Sequence, residues 1–486
     1  MKRKLICSIM SVILIFSSFL SVTAFAESGS TECEYPFVLI RGMDFNGLYV
    51  DIGTENEEEC LKPITFTGVI STVFNALGGY IKTGTLDGFT DLILDYVNEI
   101  MGSMACDENG NSVYNVSSPE YPLAVSNYPE LLEALADSTS EQGILKEAVE
   151  EYGAENVYYM VYDWRLDPLD NCDKLYDLIE LAKSEHDAEK VNLVCCSMGG
   201  IITDAYLYKY GCESFNKIIF DSTVFCGTDV VTELFQGKVN ITGETLSNYV
   251  TGMISSGFIS NILEKSGIFD RLAELAMKFV EQEKDYVYEN FLVNTFGTMP
   301  ALWALVQCED YQACLDYMFP TEADREKYSG LIERADALQE MMSGMDEILT
   351  SLPEQGVAVA VVASYGSALA PVYESANTAG DSFLESHLML GRAVVANHNE
   401  QLPDDYTADD ETKLSPDRCV DLSNCLFPEY TWAICGSPHV AASYGTDFSE
   451  FLFWLVNYDG QPTVTSNPNY PQFMLSGSDE HLELFG

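Results

Sequence analysis

Apolar residues recur along the chain in two spacings. Short unbroken runs read as strands buried on both faces: Pro36-Phe37-Val38-Leu39-Ile40, Asn156 to Val161, Val191 to Cys195, Lys217 to Phe220, Val357 to Ala363 and Glu429 to Ile434. Between them lie segments at helical spacing, from about Cys172 to His186, from Ser197-Met198-Gly199-Gly200 on to about Tyr210, and from Asp447 to Tyr458. Residues 61–155 read as mixed and mostly helical, with a turn at Asp107-Glu108-Asn109-Gly110-Asn111. Strands alternating with helices in this way predict an α/β fold, a mainly parallel sheet with helices on both faces.

Between about 229 and 355 the strand runs stop. Ile268, Leu272, Leu275 and Phe279 form one apolar stripe, and Leu331, Ala335, Leu338, Met342, Met345 and Leu349 form a second. This block is expected to be a large helical cap inserted over the upper edge of the sheet. A separate helical domain that packs its stripes internally is the alternative. The expected division is therefore a core part over 27–228, a cap over 229–355 and a second core part over 356–486.

The first 26 residues stand outside this pattern. Lys2, Arg3 and Lys4 precede an apolar run from Leu5 to about Leu20, and Ala24-Phe25-Ala26 offers a small–x–small cleavage site. That reads as a bacterial-type export signal cut before Glu27, and so as a secreted protein. No later segment has enough uninterrupted apolar residues to span a membrane.

Charge narrows the partners. Twenty-four Lys and Arg against 76 Asp and Glu leave a net charge of −52, which argues against nucleic acid and against an anionic membrane surface as partners. The hydrophobic content of 47% is enough for a large packed core, so wholesale disorder is excluded. Of the 14 Cys, Cys308/Cys314 and Cys419/Cys425 are near enough in sequence to bridge locally, but most thiols read as buried and structural. No zinc spacing occurs. The acidic run from Asp404-Asp405 to Glu411 lacks an EF-hand pattern and reads as a solvated loop. No metal or cofactor is expected.

The candidate chemistry centres on Ser197. Cys195-Cys196-Ser197-Met198-Gly199-Gly200 lies where a strand ends and a helix begins, the context of a nucleophile elbow, with Cys195 where the usual pattern has glycine. In such a hydrolase an acid and then a histidine follow the serine in sequence. Of the five His, His439 is the expected base, because it follows the strand Tyr430 to Ile434 and the turn Cys435-Gly436-Ser437-Pro438 and precedes the last helix. His186 precedes the serine, His387 comes too soon after the acid, His398 lies in a polar run and His481 in the tail. Asp381 in Gly380-Asp381-Ser382 is the expected acid, with Asp221 after strand 217–220 as competitor. Oxyanion donors are expected from the N–H of Met198 and, in the turn Arg41-Gly42-Met43-Asp44, of Met43.

These residues carry a resemblance. Tyr162-Asp163-Trp164-Arg165 upstream of Cys196-Ser197-Met198-Gly199-Gly200, Gly380-Asp381-Ser382, and Tyr430-Thr431-Trp432-Ala433-Ile434 leading to His439 resemble the α/β-hydrolases of the lipase and lecithin:cholesterol acyltransferase-like group. The resemblance covers about 36–228 and 357–458, with Cys195 and Ser382 each standing for a glycine. It implies a lipid or other ester as substrate, handled through an acyl-enzyme, and leaves hydrolysis and acyl transfer both open. On that reading the stripes of the cap and Met299-Pro300-Ala301-Leu302-Trp303 would line an acyl pocket, or else pack against each other. A peptidase or amidase on the same triad, and a non-catalytic binding protein on a hydrolase scaffold, are the rival functions.

Overall fold

The computed structural model describes residues 34–44, 47–62, 87–137, 143–252, 263, 265–437, 439–440, 446–477 and 481–485. The expected export signal lies outside them. Eight strands build one sheet: β1 (Phe37–Ile40), β2 (Val157–Met160), β3 (Val191–Cys196), β4 (Phe215–Asp221), β5 (Ala358–Tyr365), β6 (Thr431–Cys435), β7 (Phe473–Ser476) and β8 (Leu482–Leu484). Their spatial order is β8-β7-β6-β5-β4-β3-β1-β2, and every neighbouring pair is parallel except β7 with β8. This is an α/β-hydrolase-like fold, a mostly parallel sheet with helices around it.

Strand side chains alternate between two cores, which is why the strands read as unbroken apolar runs. Val38, Ile40, Leu193, Cys195, Ile218, Phe220, Val359 and Val361 face one core, shared with α2 (Pro168–His186) and α3 (Gly199–Tyr210). Phe37, Leu39, Val194, Cys196, Ile219, Ala360, Val362 and Ile434 face the other, shared with α1 (Gly143–Tyr152) and the helix near the C-terminus. Helix α2 begins four residues before the expected start, because Pro168 at its first position and the Asp167 carboxylate, which accepts the Leu169 N–H at 2.9 Å, already cap it.

The segment between β4 and β5 is helical among the described residues. It includes α4 (Asp229–Phe235), α5 (Ile268–Val287) and α6 (Ser329–Ser351). All six residues of the α6 stripe are buried, in the same core as α3. At about 1.5–3 kcal/mol per buried large apolar side chain, that stripe holds α6 firmly to the core. The α5 stripe contributes to a separate small cluster, in which Phe269 and Leu272 pack with Leu246. Pro300, Ala301, Leu302 and Trp303 are buried as well, with Trp303 between Phe235 and Phe319 and its indole N–H on the Gly297 carbonyl at 2.9 Å. Among the described residues this segment lies in the main core and the α5 stripe in the separate small cluster, so the two do not pack against each other.

The helix near the C-terminus, α7 (Thr446–Asn457), is tied to the middle of the sheet by one cation. Lys217 of β4 is 1% exposed, and its ammonium donates to the carbonyls of Leu455 (2.8 Å), Val456 (3.0 Å) and Tyr458 (2.6 Å). The helix end thus supplies its unsatisfied carbonyls to a buried charge that has no carboxylate partner among these contacts. Burial pulls the Lys217 ammonium down to about 8.

Candidate active site

Strand β3 ends at Cys196 and α3 begins at Gly199, so the chain must reverse within two residues. Ser197 does this at φ +49°, a left-handed conformation that costs a non-glycine residue about 1–3 kcal/mol. The turn is held by the Ser197 N–H on the Asp221 carbonyl (2.9 Å) and the Gly200 N–H on the Ser197 carbonyl (3.0 Å). It also needs empty space. A Cβ at Gly42 would lie 2.6 Å from the Ser197 Cβ, one at Gly199 3.0 Å from the Ile40 carbonyl oxygen, and one at Gly200 2.7 Å from the Thr223 Cβ. Cys195 is accommodated because it is the last strand residue but one, extended and fully buried, with its thiol on the Ile219 carbonyl at 3.5 Å. Burial pushes the Cys195 and Cys196 thiols up, so neither supplies a thiolate nucleophile.

The structure brings Ser197, His439 and Asp381 into one hydrogen-bonded chain. His439 Nε2 is 2.8 Å from Ser197 Oγ, and His439 Nδ1 is 2.5 Å from Asp381 Oδ2. Ser197 is 9% exposed, the His439 side chain 18% and Asp381 0%, so solvent reaches His439 and Ser197 but not Asp381. Asp381 uses its other oxygen on its own turn, accepting the N–H of Phe383 (3.0 Å) and of Leu384 (2.9 Å). Ser382 sits at φ +84°, the conformation a glycine would take there. The competitor Asp221 lies beneath the elbow and is not hydrogen-bonded to the ring through Nδ1. Burial disfavours the charged imidazole, but Asp381, and to a smaller degree Asp221, outweigh it and hold the His439 pKa above 6.5.

Two contacts on the same side were not read from the sequence. The exposed Phe383 ring stacks on the His439 imidazole, with centroids 5.5 Å apart. Glu385 is fully buried and accepts the Tyr373 hydroxyl (2.7 Å) and the Val230 N–H (3.1 Å) at the start of α4, so the acid turn is anchored to the helical segment. Burial, with Asp229 close by, pushes the Glu385 carboxyl up to about 7. Nothing local in Phe383-Leu384-Glu385 announces either role, since both depend on which elements fold against that loop.

Met43 and Met198 flank the serine from two segments of the chain. Met198 is the residue before α3, and its side chain is 2% exposed. Met43 follows Gly42, whose missing Cβ would lie 3.2 Å from Ser197 Oγ, so the peptide leading into Met43 runs beside the nucleophile. Among the described residues neither amide donates a backbone hydrogen bond. The Tyr162-Asp163-Trp164-Arg165 run explains how this turn is supported. The Trp164 indole N–H donates to the Asp44 carbonyl at 3.0 Å, and Arg41 pairs with Asp44 at 2.9 Å. Arg165, fully buried, binds both oxygens of Asp163 and reaches the Met104 carbonyl (2.8 Å) and the Ser112 hydroxyl (2.9 Å), pinning the loop at 104–112 to the core.

The other histidines sit elsewhere. His186 is 3.1 Å from the Tyr158 hydroxyl, His481 is 2.9 Å from Asp447, and His387 lies 3.6 Å from Asp229. Cys308, Cys314, Cys419 and Cys425 are all free thiols, so neither local bridge is present. Among the described residues no cluster of metal-ligating side chains occurs and no helix is long and apolar enough to cross a membrane.

No family model matches the sequence, and no curated protein does. Among solved structures, a chain described as "The crystal structure of Tle4-Tli4 complex" is similar at a TM-score of 0.29 and 12% sequence identity, over 69% of this chain and 75% of that one.

Proposed function

We propose that the protein is a secreted serine ester hydrolase of the lipase or esterase kind, acting on lipids or other carboxylic esters through an acyl-enzyme. The observation that carries this reading is the chain Ser197 Oγ–His439 Nε2 at 2.8 Å and His439 Nδ1–Asp381 Oδ2 at 2.5 Å, on a serine held at φ +49° at the end of a sheet strand. In this mechanism Ser197 attacks the ester carbonyl carbon while its proton passes to His439 Nε2. Asp381 keeps the Nδ1–H tautomer in place and stabilises the imidazolium without taking its proton. The N–H groups of Met198 and Met43 receive the oxyanion, at about 3–4 kcal/mol of barrier per donor. His439 then returns the proton to the leaving alcohol, and water, activated by the same ring, releases the acid. Export through the signal at residues 1–26 belongs to the same proposal, as does action without metal or cofactor.

The test is hydrolysis of p-nitrophenyl esters from acetate to palmitate by the mature chain and by Ser197→Ala. Turnover that depends on chain length and is abolished in the variant is expected, with a fluorophosphonate labelling Ser197 in the wild type only. No turnover with any ester together with no labelling would sink the reading.

A further inference from the structure

The residue pair that closes β4 has no task in the mechanism above, yet it touches both halves of the site. The Asp221 carbonyl accepts the Ser197 N–H at 2.9 Å, and the Ser222 hydroxyl accepts the Val440 N–H, one residue past the base, at 3.1 Å. The Ser222 hydroxyl in turn donates to Asp221 Oδ1 at 3.2 Å, and the Ser222 N–H donates to the Val362 carbonyl of β5 at 2.7 Å. Both residues are 0% exposed. Adjacent positions of one strand end therefore grip the backbone of the nucleophile and the backbone of the base loop.

The backbone at this junction is strained in three places at once. Ser197, Ser222 and Val440 have φ of +49°, +52° and +53°, and for a β-branched residue such as Val440 that is a marked outlier. Conformations of this kind persist only where surrounding contacts over-determine them. The two hydrogen bonds to residues 221 and 222 are among those contacts.

We propose that Asp221 and Ser222 are positioning residues for His439: Ser222 fixes the base loop through the Val440 N–H, and the Asp221 carboxyl fixes the Ser222 hydroxyl by accepting its hydrogen bond. The proposal rests on the serine-hydrolase reading. The ring itself is held by Ser197 at Nε2, by Asp381 at Nδ1 and by the Phe383 ring stacked on its face.

The test is kinetics on a p-nitrophenyl ester with the full mature chain. In Ser222→Ala kcat is expected to fall about tenfold at a KM changed by less than about twofold. Ser222→Gly guards against a merely structural effect. It relieves the left-handed backbone, which offsets the lost hydrogen bond, so Tm is held, while the loss of the hydroxyl still lowers kcat about tenfold. Full kcat in both Ser222 variants overturns the proposal. Failure of the serine-hydrolase reading would show separately, as absent labelling of Ser197 in the wild type.

Discussion

At the nucleophile elbow, Gly42, Gly199 and Gly200 leave no room for a Cβ, whereas the acid turn is drawn together by the Asp381 carboxylate and accepts a serine at φ +84°. The elbow is shaped by space: two strand ends and a helix start approach so closely that a methyl group on Gly42 would fall on the serine it must expose. The acid turn has one such position too, Gly380, where a Cβ would lie 2.5 Å from the Leu384 carbonyl oxygen, but at Ser382 it is shaped by hydrogen bonds and by one unusual dihedral, which a residue with a side chain can adopt at a cost. A motif glycine can thus be demanded for volume or for dihedral freedom, and only the first demand is hard to evade. Cys195 and Ser382, the two departures from the usual glycines, both fall where volume is not the constraint.

The difference between the two turns can be broken at either end. The largest effect is expected from Asp381→Asn, which keeps the shape of the acid turn but presents an amide N–H to Nδ1 and so turns the imidazole to the wrong tautomer. A fall in kcat of about 10⁴ is expected with the fold intact by circular dichroism. Gly42→Ala attacks the elbow through volume alone. Displacement of Ser197 should lower kcat about 10²-fold, and the overpacking should cost about 1–3 kcal/mol in a denaturant melt. The pH profile tests the charge balance at the base, which must be neutral to accept the serine proton. Since His439 is held above 6.5, kcat/KM is expected to fall with an apparent pKa above 6.5, tenfold for each further pH unit of acid. Ser382→Gly is the mildest. Relief of the left-handed backbone outweighs the added freedom of the unfolded chain, so stability should rise by about 1 kcal/mol with kcat unchanged. If Gly42→Ala were silent and Ser382→Gly destabilising, the contrast between volume and dihedral would be wrong.

Much of the frame is legible because its signals are local. Six strands were expected within about two residues at either end, since a strand buried on both faces is apolar throughout. The strands missed are those without such a run. Phe473–Ser476 follows a Pro- and Asn-rich loop, and the edge strand Leu482–Leu484 carries a glutamate at its centre. The small antiparallel sheet pairing Tyr49–Val50 with Glu58–Glu59 and Val116–Ser117 uses two-residue strands far apart in sequence, and no periodicity can reveal it. The site divides in the same way. Chain order and turn context single out Ser197, Asp381 and His439, which the structure brings into one hydrogen-bonded set, whereas Ser222 and Glu385 contact partners that only the folded register brings near.

The three carbonyls around Lys217 also bear on which parts of the chain depend on one another. They lie 238, 239 and 241 residues downstream of the lysine. Burying the ammonium without acceptors is costly, so the burial of Lys217 in the finished sheet requires that distant stretch of chain to be in place. One side chain thereby couples the middle strand to the end of the chain across the whole helical interruption between β4 and β5.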